Sequence, residues 1–443
     1  MIVQKTENVR GRKLTKSRLL QRKLYCAAKT DPKRRFGILF DKVHSMDILD
    51  TAWKMIRANR GASGVDHQSF DDIETYGVEK FLGELQEELQ SGKYRPQPVR
   101  RVMIPKANGK SRPLGIPTIK DRVAQMCVKL VIEPLFEADF QDFSYGFRPQ
   151  RSAHHAIKEV RKYINFGCEH VIEVDLKSFF DSIPQDKLMN LVARRVSDPR
   201  VLKIINSWLR AGVATESGIT RSVIGTPQGG VISPLLANIF LNELDKEWSK
   251  REYGHRQHDA HLVRYADDMV IACKHNPQFY YDQLIEILKT LGVEINAEKT
   301  RVVHASEGFD FLGIHFRLAP SYAGKMNCYY WPSHKAVSNF KKTIRQMVNN
   351  RCAVDFVKII DAVNPVIRGW GQYFAITNAG KCMWDLDRFI CERFNRVIKR
   401  SRKLRGVQRH VVSAKVLYEQ FGLVDLYGLA KKEAECRTMN LNR

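Results

Sequence analysis

Three aspartates carry the chemistry that this sequence can perform. Asp175 closes an apolar run, HVIEVDL (170–176), and Asp267 and Asp268 stand between LVRY and MVIA in HLVRYADDMVIAC (261–273). Apolar runs of this length predict short strands, and the second stretch predicts a hairpin with both aspartates at its tip. Tip side chains project beyond the sheet edge. If the strand before Asp175 neighbours the hairpin, three carboxylates meet at one edge. Like charges that close repel, and take up protons unless a cation compensates them. Hard oxygen ligands suit Mg2+, with Mn2+ as a substitute. Two such ions about 4 Å apart lower the pKa of an attacking hydroxyl and stabilise a leaving pyrophosphate. A bare Asp-Asp pair usually just caps a turn. Tyr-x-Asp-Asp between apolar strands, with a strand-ending aspartate upstream, is far more specific.

The elements around these positions mix helix and strand. Residues 46–92 predict helices broken by the turn GASGVD (61–66). In FLGELQEELQSGKY (81–94), Phe81, Leu82, Leu85 and Leu89 recur at helical spacing before Ser91-Gly92 stops the pattern. VRRVMIPKANGKSRPLGIP (99–117) predicts two strands around Ala107-Asn108-Gly109. DRVAQMCVKLVIEPLFEADF (121–140) predicts a helix ended by Pro134, and further helices are expected over 201–211, 231–245 and 278–292, the last stopped by Gly292. GFDFLGIHF (308–316) reads as one strand. Beyond 320 the chain is nearly all helical, basic and aromatic, so a domain boundary is expected near 318–330. No regular βαβ alternation occurs, and the fold class expected is α+β.

Lysine and arginine number 73 against 48 acidic residues, a net charge of +25. Such an excess points to a polyanion, nucleic acid first, with a ribosome-associated or membrane-surface protein as the blander reading. The ends are most cationic: residues 1–60 hold sixteen Lys/Arg against five acids, and residues 391–443 thirteen against five. These patches gain affinity by releasing counterions from phosphates, so binding should weaken steeply with salt. The nine cysteines are scattered without a CxxC pair, which argues against a zinc ribbon and against a disulfide framework. Free thiols in a reducing compartment follow. No apolar run approaches the roughly 20 residues that span a bilayer, and the N-terminus lacks an apolar signal core. The expected location is the cytoplasm, nucleoid association included, with no membrane partner.

Further segments stand in a definite order: GVD (64–66), IPKANGKSRPLGIP (104–117), DRVAQ (121–125), SYGFRPQRSAHHAI (144–157), DLKSFFDSIP (175–184), GTPQGGVISPLLANIFLNELD (225–245), RYADD (264–268), NAEKT (296–300), FLGI (311–314) and NPVIRGWGQYF (364–374). Together they resemble the reverse transcriptases encoded by group II introns (maturases), bacterial or organellar, in the form without an endonuclease domain. The resemblance implies a right-hand polymerase fold with fingers, an antiparallel palm sheet and a helical thumb or maturase (X) domain. It divides the chain into a basic N-terminal arm (1–45), fingers and palm (46–320), the thumb (321–405) and a basic C-terminal extension (406–443), a candidate DNA-binding tail. The implied activity is RNA-directed DNA polymerisation by two-metal nucleotidyl transfer, with binding of the intron RNA to assist splicing and mobility. Implied partners are an RNA template, a DNA primer, deoxynucleoside triphosphates, group II intron RNA and target DNA; dimerisation is left open.

Position by position, the resemblance makes Asp175, Asp267 and Asp268 the metal-binding catalytic aspartates, with the backbone carbonyl of Leu176 as a further ligand. Phe180 matches the residue beneath the sugar, where a bulky ring clashes with a 2′-hydroxyl; core packing is its other reading. Lys106 and Arg112 match fingertip cations that neutralise the triphosphate, arginine bidentately. Gln228 matches the residue beside the incoming nucleotide, and its neighbouring glycines permit close backbone approach. Ser233 and Pro234 also read as the cap and first residue of a helix. Lys299 matches a lysine implied to protonate the leaving pyrophosphate. FLGI, with Gly313, matches the segment that positions the primer end.

SYGFRPQRSAHHAI combines aromatics with Arg148 and Arg151, the mixture that template contact through phosphates and stacking requires. His154 and His155 are adjacent and share no helix face, so they do not read as a metal pair. Trp331, Trp370, Tyr373, Phe374 and Trp384 read mostly as thumb core, and the cationic helix over 387–405 as a grip on a duplex or on intron RNA. With no room for an endonuclease after about residue 430, insertion into DNA would take its primer from a nick or a replication fork. Competing readings are a domesticated reverse transcriptase in DNA repair or phage defence, an RNA chaperone with dead polymerase chemistry, and an RNA-dependent RNA polymerase. The intact aspartates count against the chaperone, and Phe180 with YADD against the RNA polymerase.

Overall fold

The computed structural model describes residues 15–105, 111–215, 218–220, 225, 229–254, 259–348, 356–401 and 412–432. Its strands are β1 (Val99–Pro105), β2 (Ser111–Ile116), β3 (His170–Val174), β4 (Val213–Thr215), β5 (Gly218–Thr220), β6 (Ala260–Tyr265), β7 (Asp268–Cys273), β8 (Arg301–His304), β9 (Phe309–Phe311), β10 (Ile314–Pro320) and β11 (Met326–Pro332). They form three sheets, ordered β2-β1-β4-β5, β6-β7-β3-β8 and β11-β10-β9. Every pairing in the second sheet, the palm, is antiparallel. The α+β expectation holds.

Successive side chains of a strand face opposite sides, and both sides of the palm sheet are apolar. Ile172, Val174, Leu262, Met269, Ile271 and Cys273 enter one core, while Val171, Val263, Val270 and Ala272 enter another. The sheet is therefore a wall between two cores, which is why its strands read as nearly continuous apolar runs. Helices Ile119–Glu137, Ser233–Lys250 and Pro277–Leu291 close the first core. Helix Ala153–Asn165, the β9–β11 sheet and helices His334–Met347, Phe356–Phe374 and Gly380–Ser401 close the second. Thumb and palm thus share one continuous apolar interior.

Several helices fall where periodicity puts them. Val78–Gln90 buries Phe81, Leu82, Leu85 and Leu89 and ends at Ser91; Pro277–Leu291 ends at Gly292 with φ +79°. Four expectations need correction. The helix over 121–140 does not end at Pro134 but continues to Glu137. Proline removes the amide that would bond the Leu130 carbonyl, and Gln21 Nε2 donates to that oxygen instead at 3.1 Å. GFDFLGIHF is not one strand: Leu312 and Gly313, with φ +50° and +75°, form a two-residue loop between β9 and β10. The chain beyond 320 is not helical at once, because β11 pairs along the whole of β10, so the interval 318–330 runs through a hairpin. Finally, Ile232 caps the next helix and Ser233 is its first residue. The N-terminal arm docks as a helix, Lys16–Thr30, whose Lys29 Nζ donates to the Ala138 carbonyl at 3.0 Å.

Candidate active site

Strand register decides where the aspartates go. β3 pairs with β7 so that Val174 faces Met269, and β6 closes on β7 with Tyr265 opposite Asp268. Asp175 follows Val174 directly, and Asp267 and Asp268 directly precede Met269. All three carboxylates therefore leave the same edge of the palm sheet. A slip of one residue would exchange the two faces of every strand, and the two apolar cores forbid it.

The NAEKT segment clamps Asp175 on several sides. Asn296 N–H donates to its carbonyl at 2.7 Å, its own amide donates to Thr300 Oγ1 at 3.3 Å, and Lys299 Nζ lies 3.1 Å from its Oδ2. Leu176 is buried and bridges Ile295. Thr300 was not singled out from sequence; a hydroxyl in the segment that matches beside the metal edge was the available signal.

At the hairpin tip, Ala266 and Asp267 form a two-residue loop in which Ala266 has φ +58°. The loop of SYGF presses on it, because a Cβ at Gly146 would stand 2.4 Å from the Ala266 nitrogen. Arg264, fully buried one residue before Tyr265, also escaped the sequence reading. A lone arginine in an apolar strand was its signal, since a buried charge needs partners.

Phe179 and Phe180 differ in burial. Phe179 is 2% exposed and packs against Phe240, whereas Phe180 is half-buried, edge-on to Phe179 at 5.5 Å. The turn begins at Ser178 with φ +46°, and the Phe180 ring packs, partly buried, against the margin of the first core. Gly225, where GTPQGG begins, lies against this turn: its Cβ would stand 3.0 Å from the Phe180 carbonyl oxygen. Gly229 abuts β2, where a Cβ would be 2.3 Å from the Gly115 oxygen. Lys106 and Gln228 lie outside the described residues, as does the side chain of Arg112, whose backbone pairs with Ile104 in β1–β2.

The two arginines expected at the template part company. Arg148 is buried, its guanidinium held by the Glu137 carboxylate at 2.8 Å and by the Gln141 and Ser144 carbonyls. Its bonds run within the protein and organise the loop, unlike the surface contact expected of it. Arg151 stays at the surface, pairing at 2.6 Å with the exposed Asp142 and lying over the Tyr145 ring. Gly313 receives the Ser333 amide at its carbonyl, 2.9 Å away, and faces Phe374. His154 donates from Nε2 to the Tyr373 carbonyl at 2.8 Å. Tyr373, expected as core, packs partly buried against the second core, where burial first, then Tyr265 and Asp268, push its hydroxyl up to about 12.

The aspartate edge offers only hard oxygen donors, which fits Mg2+ or Mn2+. Among the described residues one His/Cys/Asp/Glu trio has ligand atoms within 4.8 Å of one another: Cys168, Asp259 and His261. It lies at the opposite end of the sheet, and Lys274 already pairs with its carboxylate.

Residues 104–316 match the family described as reverse transcriptase (RNA-dependent DNA polymerase), and residues 337–415 match the group II intron maturase-specific domain. Protein YkfC of Escherichia coli (strain K12) is 35% identical over 367 residues, covering 74% of this chain and 96% of YkfC. The group II intron-encoded protein LtrA of Lactococcus lactis subsp. cremoris is 32% identical over 338 residues, covering 62% of this chain and 56% of LtrA. The chain thus spans nearly all of the first relative and about half of the second. A partial Cas6-RT-Cas1–Cas2 complex is similar at 23% identity and a TM-score of 0.35, covering 57% of this chain and 42% of that one. The chain belongs to the reverse transcriptase family, the RNA-dependent DNA polymerases, and carries the maturase-specific domain of group II intron proteins.

Proposed function

We propose that the chain copies RNA into DNA at the edge formed by Asp175, Asp267 and Asp268, and binds a group II intron RNA to assist its splicing and mobility. One observation carries the catalytic reading: the pairs Val174–Met269 and Tyr265–Asp268 bring three carboxylates to one sheet edge. The match of residues 337–415 to the maturase-specific domain favours an intron partner over a repair or defence role.

The family uses divalent metal ions; two Mg2+ ions held by the three carboxylates and the Leu176 carbonyl are the finer reading. When bound, they would activate the primer 3′-hydroxyl and neutralise the leaving pyrophosphate. Lys299 supplies the proton that pyrophosphate takes up, a role supported by its nearness to Asp175. Phe180 excludes the 2′-hydroxyl, a role supported by its half-exposed ring above the buried Phe179. Lys106, Arg112 and Gln228 hold the triphosphate and base of the incoming deoxynucleotide. Arg151 contacts the template and Gly313 the primer end. Target DNA would meet the basic extension 406–443, in the cytoplasm; no helix among the described residues is long and apolar enough to cross a membrane.

The test is primer extension on poly(rA)/oligo(dT) with dTTP and Mg2+, comparing the wild type with Asp267→Ala. Extension by the wild type and its loss in the variant are expected. Incorporation that survives the substitution refutes the assignment.

A further inference from the structure

Beneath the catalytic turn lies a charge pair that the polymerisation scheme leaves unused. Arg264 Nε donates to Asp245 Oδ1 at 2.8 Å, and one terminal nitrogen bonds the other oxygen of that carboxylate. The second terminal nitrogen donates to Asn238 Oδ1 and to the Ala266 carbonyl, both at 3.0 Å. Asn238 and Asp245 are buried on helix Ser233–Lys250, two turns apart and so on one face. Asn238 Nδ2 reaches on to the Gly146 carbonyl at 2.7 Å. The backbone of Arg264 is engaged as well: its amide donates to the Phe143 carbonyl and its carbonyl accepts from Tyr145. Every route from this network ends on the two segments that enclose the tip.

Ala266 is the residue that needs such support. Its φ of +58° at the first position of a two-residue hairpin loop is a conformation that favours glycine. Conformations of this kind persist only where the surroundings over-determine them. Apolar side chains of similar volume would fill the space beneath the turn without desolvating two charges, so packing does not account for the pair. A bidentate guanidinium fixes direction as well as distance, and here the direction is toward the carbonyl that precedes Asp267.

We infer that Arg264, braced by Asp245 and Asn238, is a positioning residue for the catalytic turn, fixing the Ala266 carbonyl and so aiming Asp267 and Asp268 at the metal-binding edge. The inference rests on the polymerase reading above. Arg264→Lys keeps the charge but replaces the planar fork that grips Asp245 at two points while bonding the Ala266 carbonyl with a single ammonium. In the purified full-length chain, folding is followed by circular dichroism and Tm, and primer extension on poly(rA)/oligo(dT) is measured across a Mg2+ titration. A misaimed ligand set should lower kcat by about tenfold or more and raise the half-saturating Mg2+, with KM for dTTP and template–primer Kd near wild type. A folded Arg264→Lys with wild-type kcat and Mg2+ dependence overturns the inference, as does a loss explained by the unfolded fraction alone. If Arg264→Lys does not fold, the double variant Arg264→Met/Asp245→Leu, which leaves no buried charge unpaired, is judged by the same criteria. Should that also unfold, Asn238→Ala decides, since it deletes one brace only. A wild type that never extends the primer refutes the polymerase reading itself, whereas an active wild type with unaffected variants refutes the positioning role alone.

Discussion

The Tyr373 hydroxyl donates to the Leu312 carbonyl across 2.9 Å, joining a helix of the maturase-specific domain to the loop matched with primer positioning. Leu312 has φ +50°, a costly conformation for a bulky residue, and this bond together with Ser333 N–H on Gly313 secures it. Removing the hydroxyl in Tyr373→Phe should cost about 1 kcal/mol, the usual net worth of one hydrogen bond. The expected signature is a slightly lower Tm with shorter extension products, while single-nucleotide incorporation stays near wild type. Product lengths identical to wild type would count against a primer role for this loop.

Phe180 is partly buried at the margin of the first core, beside the fully packed Phe179. Phe180→Val should lower Tm modestly, since part of the ring packs on the core, and, on the gate reading, open the space below the sugar. Incorporation of ribonucleotides relative to deoxynucleotides is expected to rise roughly 10–200-fold, the range by which a pocket discriminates one small group. Competition between rUTP and dTTP measures it, and unchanged rejection of rUTP would move the gate to another residue.

What was legible in the sequence followed from local rules. The apolar runs around Asp175 and the Asp267–Asp268 tip declare strands because both faces of the palm sheet are buried, and register then leaves the carboxylates one edge to occupy. The illegible parts depend on partners distant in sequence. Nothing local tells Arg148 from Arg151, yet Glu137 draws the first inward. Pro134 looks like a helix stop until Gln21 is seen to bond the orphaned Leu130 carbonyl. Leu312-Gly313 looks like strand interior because the positive φ of Leu312 is held by bonds from Tyr373 and Ser333, and a lone glycine is a weak turn signal.

Lys299 Nζ lies 3.1 Å from Asp175 Oδ2, while its side chain is largely exposed. Exposure makes the ion pair a weak contributor to stability, so Lys299→Ala should fold normally. General acids contribute about 10²–10⁴-fold to rate, and a kcat loss near the lower end is expected with little change in KM for dTTP. Single-turnover rates with saturating template–primer report this directly. A variant that matches wild type in that assay would leave Lys299 with no part in proton transfer.

Asp387 gives the thumb a pH dependence opposite in sign to that of most carboxylates. It sits on helix Gly380–Ser401 and accepts the amides of Leu426 at 3.0 Å and Tyr427 at 2.6 Å, pinning the helical residues 426–432. Burial, aided by neighbouring Asp425 and opposed by those two amides, raises its pKa from 3.8 to about 6. The folded state thus binds this proton more tightly than the unfolded chain does. The resulting stabilisation is complete below about pH 4 and is lost as pH rises through about 6. Global unfolding would not isolate the effect, because Asp198, buried but held low by the Leu39 and Phe40 amides, contributes in the other direction, and Asp121, Glu133 and Asp139, raised by burial, in the same one. Hydrogen exchange of residues 412–432, corrected for intrinsic rates, isolates it: protection should be greater at about pH 5 than at about pH 7.5. Asp387→Asn, neutral at both values, should remove the difference. Equal protection in the wild type at both pH values, or a difference that persists in the variant, would exclude Asp387 as its source.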